Sequence, residues 1–355
     1  MIIDKKEYGA VAPFGRSFPV RAASSAYGAA VGLRNALYDY FPFLSHAANR
    51  PVISIGGIRA GGTGKTPSAL MVGEYLLSKG HAVAFLSRGY RRIDRRFRIV
   101  KPHETAVWEE IGDEPRLLHD RLPQTWLGIG ANRCRAASQL APLLPEGAVF
   151  VLDDGFQHRS LRRDLDIVCL HDSLLNDRLI PLGFLRETAD ALSRAHAALL
   201  IGSDENTEML KKLRTVLTGR FPGLYCAVLF QEMGLWVNAG TRDTASQPPF
   251  RNPFLICGIA RPERFIAMAR RTGVTPGAEL VFPDHHRYVT NDFPETRELY
   301  SKGIITTEKD AIRLRTLGVF RSETIWYPTV DMRFAEKTDE GRFHSLIDKS
   351  ICHSE

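Results

Sequence analysis

Cysteine is scarce in this 355-residue chain and follows no pairing or ligand pattern. The five cysteines are Cys134, Cys169, Cys226, Cys257 and Cys352. None of them has the CxxC spacing or belongs to a Cys/His ligand pattern, which argues against a zinc site. We therefore expect isolated thiols in a reducing compartment rather than disulfides.

Long apolar runs are also lacking. No uncharged apolar stretch reaches the roughly 18 residues that a membrane-spanning helix needs. The first thirty residues have charged residues at positions 4–7, followed by Gly and Pro, and lack the apolar segment of a secretory signal. We therefore do not expect a secretory signal peptide. Hydrophobic residues make up 44% and charged residues 25%, which is ordinary for a folded protein. We expect a cytoplasmic protein that touches a membrane only from its surface.

Acidic residues are fewer than basic ones. The chain has 40 Asp and Glu against 47 Lys and Arg, a formal charge of +7. An excess of this size suits anionic partners such as phosphorylated ligands, nucleic acid or an anionic membrane, and does not choose among them. The length favours two domains.

Alternating strand and helix patterns begin near residue 50. Continuously apolar runs predict buried strands over residues 51–55, 82–86, 147–152, 165–170 and 197–201. Such strands between helices are typical of a mostly parallel sheet with helices on both faces, the α/β fold of P-loop NTPases, here with a smaller second α/β domain. The expected units are an N-terminal segment (1–48), an α/β core (49–225), a linker or loose hairpin rich in Gly, Ser, Thr, Gln and Pro (226–252), the smaller domain (253–335) and a C-terminal tail packing on the core (336–355).

The segment from Ser24 to Leu44 is predicted to be a helix that Pro42 disturbs or ends. Its larger apolar side chains share much of one face at helical spacing: Tyr27, Val31, Leu37, Tyr38, Phe41 and Leu44. The basic residues on or before it are Lys5, Lys6, Arg16, Arg21 and Arg34. Two interpretations are open from this pattern. The face packs on the main domain, or it lies in a membrane interface.

A glycine-rich loop separates the first predicted strand from a helix. Its residues are Gly61, Gly62, Thr63, Gly64, Lys65 and Thr66. Glycines let backbone N–H groups point at phosphate oxygens, and the helix adds its positive N-terminus. Lys65 can reach the β- and γ-phosphates and Thr66 can hold Mg²⁺, so the loop predicts a P-loop rather than a ligand-free turn. Arg59 stands where the strict pattern has glycine, and it can reach a phosphate or point to solvent.

A P-loop alone does not name a reaction, because GTPases, ATPases and kinases share it. The guanine-reading NKxD motif is not evident, which argues against a GTPase. Asp153 and Asp154 directly follow a predicted strand, at the carboxyl edge of the sheet where ligands bind. This position favours a carboxylate that acts on Mg²⁺, and the alternative is a cap of the next turn.

Two further segments carry groups that can handle protons. They are Gly-Asp-Glu-Pro at 112–115 and Asp-His-His at 284–286. A kinase that phosphorylates a hydroxyl needs a carboxylate near the nucleophile, and a nearby His can tune it. Arginines cluster over 87–98 and at Arg159, Arg162 and Arg163, which suits phosphate. A solvated charge run or a nucleic-acid surface is the alternative, although no nucleic-acid module accompanies them.

Together these residues resemble the tetraacyldisaccharide 4′-kinase family, the lipid A 4′-kinases of Gram-negative bacteria. The similar segments, in order, are Arg34-Asn35 through Tyr38-Asp39, 61–67, 87–90, 112–115, 153–158, 181–187, 258–265, 284–286 and 307–310. The strings Asp-Asp-Gly-Phe-Gln-His and Ser-Arg-Gly-Tyr are far more specific than a P-loop. The chain departs from the family at Gly56-Gly57, where Gly-Asn is usual, and at Arg59, where a small hydroxyl residue is usual.

The resemblance implies an ATP- and Mg²⁺-dependent kinase. Its reaction would transfer the γ-phosphate to the 4′-hydroxyl of a tetraacylated glucosamine disaccharide 1-phosphate, which gives lipid IVA in lipid A biosynthesis. It also implies a peripheral protein on the cytoplasmic face of the bacterial inner membrane, in contact with the bilayer through the N-terminal helix. We expect a monomer and no nucleic-acid partner. The alternative is a P-loop ATPase that acts as a switch or chaperone, which would need neither the aromatic helix nor the second-domain His.

The resemblance also implies roles for individual residues. Asp113 is the catalytic base and His285 is its partner from the second domain. Lys65 and the glycine-rich loop bind the nucleotide. The expected metal residues are Thr66, Asp153, Asp154 and Glu187. The expected substrate-binding residues are Arg88, Tyr90, Gln157 and His158.

Overall fold

The computed structural model describes residues 18–352 except 91, 173, 175–176, 204–205 and 294–301. The expected basic residues Lys5, Lys6 and Arg16 therefore lie outside the described part of the chain. Within it, the helices are α1 (Phe18–Tyr40), α2 (Lys65–Ser78), α3 (Trp108–Ile111), α4 (Asp113–Arg121), α5 (Arg133–Leu140), α6 (Thr207–Arg220), α7 (Pro262–Arg271), α8 (Glu308–Leu314) and α9 (Lys337–Cys352).

The strands of the described residues belong to one sheet. They are β1 (Val52–Gly56), β2 (Val83–Ser87), β3 (Arg98–Val100), β4 (Trp126–Ile129), β5 (Val149–Asp153), β6 (Leu165–Leu170), β7 (Ala197–Gly202), β8 (Tyr225–Asn238), β9 (Thr244–Ala245), β10 (Phe254–Cys257), β11 (Ala278–Val281), β12 (Ile304–Thr306) and β13 (Ile325–Phe334). Their order is β11-β10-β12-β13-β8-β7-β6-β1-β5-β2-β4-β3, with β9 paired to β8.

The sheet is mostly parallel, as expected. Only the pairs β3/β4, β8/β13 and β8/β9 are antiparallel among those described. The five predicted strands are confirmed as β1, β2, β5, β6 and β7, each within two residues of the expected bounds. These strands could be predicted from the sequence because every residue of each strand is buried. Their sequences are therefore continuously apolar or nearly so.

The expectation of a linker that starts at residue 226 is wrong. Residues 225–238 form the 14-residue strand β8, whose first half pairs in parallel with β7 and whose second half pairs antiparallel with β13. The strands of the second half of the chain therefore continue the first sheet. The polar, glycine- and proline-rich composition belongs to the residues after β8, where β9 forms the expected hairpin connection.

The helices nearest the two chain termini both pack on the rest of the protein. The C-terminal helix α9 buries Phe343 and Ile347 in the main hydrophobic cluster. The N-terminal helix α1 ends two residues before Pro42, which starts a short 3₁₀ turn. Helix α1 donates from Ser24 to the backbone of Leu179 and from Tyr27 to that of Arg186. None of the helices in the described ranges is long and apolar enough to cross a membrane.

Candidate active site

The glycine-rich loop lies between β1, at the centre of the sheet, and α2. Gly61 and Gly64 have φ of +96° and +77°, a region that favours glycine, and Gly64 caps α2. Thr66 is buried in the first turn of α2, and the buried hydroxyl of Thr63 has no partner among the described side chains and backbone. The local geometry is therefore that of a P-loop, with a curled backbone that leads into a helix N-terminus.

Lys65 and Asp154 form an ion pair at the mouth of this loop, with Nζ 3.4 Å from Oδ1. Arg186 donates to both oxygens of the same carboxylate at 3.0 and 2.8 Å. Burial on its own would raise the pKa of Asp154, but the charges of Lys65 and Arg186 outweigh it and hold the pKa below its usual value. Asp154 is thus an ionised group, held by two cations in a strained backbone conformation with φ of +54°.

Asp153, the last residue of β5, has the opposite electrostatics. It is buried, and its Oδ1 has no hydrogen-bond partner in the described part of the chain. Burial, with the charges of Glu114 and Asp154, raises the pKa of Asp153 to about 7. An orphaned buried carboxylate oxygen on the same cavity wall as Thr66 fits a hard cation such as Mg²⁺.

The protein offers few ligands to such a cation. No group of three or more His, Cys, Asp or Glu that could hold a metal occurs among the residues described. Mg²⁺ in nucleotide sites is typically held by one or two protein oxygens, with phosphate oxygens and water completing its shell. Thr66 and Asp153 are therefore a sufficient donor set only when a phosphate is present.

Asp113 and His285 meet across the two halves of the chain. His285 Nδ1 lies 2.9 Å from Oδ2 of Asp113, and the backbone N–H of Glu114 donates to Oδ1. Burial alone would raise the pKa of Asp113, but the hydrogen bond from His285 and the charge of Lys309 outweigh it and lower the pKa well below its usual range. The carboxylate is therefore ionised and fixed in orientation.

Two glycines bring the segments around Tyr90 and Asp113 together. Gly89 and Gly112 have φ of +66° and +95°. A Cβ added to Gly112 would lie 3.1 Å from the Cα of Gly89, so the two backbones pack at a distance that a side chain would obstruct. The ring of Tyr90 meets that of His285 edge-on, with centroids 5.5 Å apart.

Lys309 is a functional candidate that we did not single out from the sequence. Its Nζ donates to Oε1 of Glu114 at 2.8 Å. Burial would lower the pKa of Lys309, but the charges of Glu114 and Asp113 outweigh it and raise the pKa. Its segment, 307–310, is part of the family resemblance, and only the fold shows that this lysine faces the two carboxylates.

A cavity of about 840 Å³ joins these groups. The polar part of its wall holds the P-loop with Arg88, Tyr90, Arg133, Asp153, Asp154, Gln157, His158, Arg186, His285 and Lys309. The apolar part holds Met233, Ile259, Phe265, Met268, Pro328 and Val330, with Gln231 beside them. This apolar end comes from β8, β13 and the region of α7, and sequence reasoning missed it because no motif marks it.

His158 lies among arginines in this cavity. Burial, with the charges of Arg133, Arg163 and Arg88, lowers the pKa of His158 to about 4. Its Nε2 lies 3.1 Å from the hydroxyl of Ser160. The imidazole is therefore neutral at physiological pH.

Glu187 does not fit the metal role expected of it. Its side chain is 1% exposed, and it accepts from Asn35 at 2.7 Å, from Gln157 at 2.8 Å and from Arg194 at 2.8 Å on both oxygens. It does not line the cavity. Since partners already occupy both oxygens, Glu187 instead anchors α1 to the loop after β5.

Arg59 does not point to solvent and does not line the cavity. It donates to Asp177 at 2.6 Å and covers the ring of Phe184 at 4.7 Å. Parts of the two arginine clusters are paired with carboxylates of the protein. The pairs are Arg159–Asp39, Arg163–Asp166, Arg96–Asp94 and Arg98–Glu110.

Comparisons with known proteins agree with this geometry. The sequence model of the tetraacyldisaccharide-1-P 4′-kinase family matches residues 17–351. The tetraacyldisaccharide 4′-kinase of Anaeromyxobacter dehalogenans strain 2CP-C is 37% identical over 316 residues, which is 83% of this chain and 81% of that one. The same enzyme of Bdellovibrio bacteriovorus is 34% identical over 337 residues, 92% and 97% of the two chains.

The similarity extends from the sequence to the three-dimensional fold of a solved structure. The crystal structure of LpxK from Aquifex aeolicus in complex with ATP has a TM-score of 0.77 to this one at 30% identity, and covers 94% of this chain and 98% of that one. The P-loop, the Asp113–His285 pair and these relatives point to a single conclusion: the chain belongs to the tetraacyldisaccharide-1-P 4′-kinase family.

Proposed function

We propose that this protein is an ATP-dependent kinase that phosphorylates the 4′-hydroxyl of a tetraacyldisaccharide 1-phosphate and so forms lipid IVA in lipid A biosynthesis. The observation that carries the proposal is the position of His285, which lines the same cavity as the P-loop while it is bonded to Asp113. The phosphate-binding loop thus shares one cavity with the imidazole that is bonded to the buried carboxylate. The family and its named relatives supply the identity of the acceptor.

The nucleotide occupies the larger cavity. The backbone N–H groups of residues 61–66 surround its phosphates, and Lys65 exchanges its 3.4 Å contact with Asp154 for the β- and γ-phosphate oxygens. The apolar end, with Phe265 and Met268, holds the base. Mostly apolar walls with a few polar side chains, here Gln231, Arg261 and Arg264, are typical of small-molecule sites.

Thr66 and Asp153 would hold Mg²⁺. Asp153 is the better candidate of the two aspartates because its Oδ1 is unpartnered among the described residues, whereas both oxygens of Asp154 accept from Arg186. The ion would supply positive charge that offsets the charge on the phosphates. Asp154 with Arg186 then positions Lys65.

Asp113 accepts the proton of the 4′-hydroxyl. Phosphoryl transfer passes through a loose transition state in which the nucleophile is still weakly bonded, so a carboxylate of low basicity suffices to orient the hydroxyl and take its proton late. His285 acts as a positioning residue that fixes the carboxylate through Nδ1. Arg88, Tyr90 and His158 surround the acceptor sugar, while Gln157 is held by Glu187 and the backbone of Gly57.

The N-terminal helix contacts the inner membrane from its cytoplasmic face, as a peripheral attachment. Phe18 and Phe43, at its beginning and just beyond its end, are 83% and 75% exposed, and Leu33, Leu37, Tyr40 and Phe41 are exposed as well. Exposed aromatic and aliphatic side chains of this number suit an interface.

ATP turnover by the purified protein, with and without detergent-dispersed disaccharide lipid, tests this proposal. A kinase gives ADP only with the lipid and in equal amount to a phosphorylated lipid product. An ATP turnover rate that is the same with and without the lipid would favour a P-loop ATPase that acts as a switch and would reject the kinase proposal.

A further inference from the structure

A second cavity of about 490 Å³ adjoins the catalytic pair, and the arginines that line it have no role in the function proposed above. Asp113 and His285 line one side of it, with Tyr90. Arg92, Arg95 and Arg287 line the rest, with Trp108 among them. Since Tyr90 and His285 also line the nucleotide cavity, the two spaces meet at these two residues, beside Asp113. We call this second space the arginine cavity.

Arg92 is the most unusual residue of the arginine cavity. Its side chain is buried, with 8% of the residue exposed, and its Nη2 donates to the backbone oxygen of Arg95 at 2.9 Å. Its Nη1 is buried and has no hydrogen-bond partner among the described residues. A buried guanidinium with an unmade hydrogen bond is costly. A ligand oxygen would remove that cost.

The charged side chains on the wall of the arginine cavity favour an anionic ligand. Three arginines, Arg92, Arg95 and Arg287, face the cavity, while the buried acid Asp113 is already bonded to His285. The remaining wall arginine, Arg313, is paired with Asp310 at 2.7 Å. Asp284 is the other acid on the wall, so positive charge is in excess. Arginine forks match the oxygens of a phosphate monoester.

Exposed apolar side chains flank the wall segments of the arginine cavity. Ile93, Val107 and Val289 are exposed, and each lies one or two residues along the chain from a wall residue. The backbone N–H of Ile93 donates to the oxygen of Glu109 at 2.7 Å, which brings the segments of Ile93 and Val107 together. An arginine-lined cavity flanked by exposed apolar side chains suits a phosphate group that belongs to an acylated molecule.

We propose that the arginine cavity binds the anomeric phosphate of the acylated disaccharide, with Arg92 as its central donor and Arg95 and Arg287 beside it. This inference rests on the proposed function and deepens it. The acceptor hydroxyl at Asp113 and the phosphate at Arg92 then contact the wall of one cavity. The enzyme thereby recognises its acceptor by the end of the molecule that does not react.

The test compares two acceptors, the disaccharide 1-phosphate lipid and the same lipid without its anomeric phosphate. We expect the wild-type protein to favour the phosphorylated acceptor by at least about tenfold in kcat/KM, the size of one charge-assisted hydrogen bond. Arg92→Gln and, separately, Arg287→Gln should each reduce that preference severalfold. Arg96→Gln is the matched control, because Arg96 is in the same segment, is 89% exposed at its side chain and pairs with Asp94. It should keep the wild-type preference.

Each other outcome overturns the inference. If Arg92→Gln lost the same factor in kcat/KM on both acceptors, Arg92 would have only a structural role. If Arg92→Gln does not fold, the result for the exposed Arg287 decides the question. Inhibition by inorganic phosphate that Arg92→Gln relieves, with no preference between the lipids, would assign the cavity to free phosphate. A wild-type protein that phosphorylates neither lipid would reject the proposed function itself.

Discussion

His285 Nδ1 lies 2.9 Å from Oδ2 of Asp113, although 172 residues separate them in the chain. His285 has φ of +56°, uncommon for a residue that is not glycine, and its backbone N–H donates to the oxygen of Gly258. The imidazole that contacts Asp113 therefore lies on a strained loop of the second half of the chain, and a hydrogen bond fixes this loop to the end of β10. Strain of this kind persists only where the surrounding structure enforces it, and it concentrates at functional sites.

The two strand-end aspartates should differ in their effect on the metal requirement. Asp153→Asn should raise the half-saturating Mg²⁺ concentration about tenfold or more, because it removes the unpartnered buried oxygen. Asp154→Asn should change it less and should weaken ATP binding instead, through Lys65. Initial rates across a Mg²⁺ titration at saturating ATP separate the two. The reverse order of effects would move the metal to Asp154.

Glu187 should matter for stability rather than for the metal. Glu187→Gln leaves the half-buried guanidinium of Arg194 without its charge partner, which should lower the free energy of unfolding by about 3 kcal/mol. Denaturant unfolding measures this loss, and the Mg²⁺ dependence of the folded variant serves as the internal control. A variant of normal stability with an altered Mg²⁺ requirement would restore the metal role.

His158 should make stability fall on acidification. Its pKa is about 4 in the folded protein against an ordinary 6.5, so below pH 6.5 the unfolded chain binds a proton that the folded protein does not. This contribution is present at neutral pH and is lost as pH falls from about 6.5 towards 4. Denaturation at pH 7 and pH 4.5 should therefore show a smaller pH effect for His158→Gln than for wild type. An equal or larger effect in the variant would contradict the assigned environment.

The exposed aromatic residues of the N-terminal region should carry vesicle binding. Phe18→Ser with Phe43→Ser should reduce co-flotation with anionic phospholipid vesicles several-fold, because the interfacial contribution of both rings is lost. Met209→Ser with Val216→Ser on α6 is the matched control, since these side chains are half exposed on another helix. Loss of flotation in the control pair alone would place the contact elsewhere.

What the sequence could predict was local. Asp153 was identified because the apolar run of β5 ends at it, and the P-loop because its residues are contiguous. The strand β8 was missed because the turn-rich residues after Asn238 obscured the β pattern before them. Partners distant in sequence were not readable either: Arg59 meets Asp177 across 118 residues, and Asn35 meets Glu187 across 152.

The Asp113–His285 contact was of the same distant kind: the residue types marked both segments, and only the family resemblance implied that the two residues act together. Their approach depends on Gly89 and Gly112, which the motifs contain but whose close packing no spacing rule indicates. The apolar end of the nucleotide cavity was missed for a similar reason. It is assembled from strands and a helix that carry no phosphate-binding pattern.

The most direct test of the account is single-turnover phosphate transfer by Asp113→Ala, alongside measured ATP binding. Loss of the carboxylate should slow transfer to the lipid by about 10²–10⁴-fold, the usual contribution of a general base, while ATP affinity stays within about twofold. A wild-type rate of lipid phosphorylation with unchanged ATP affinity would show that Asp113 is not the base.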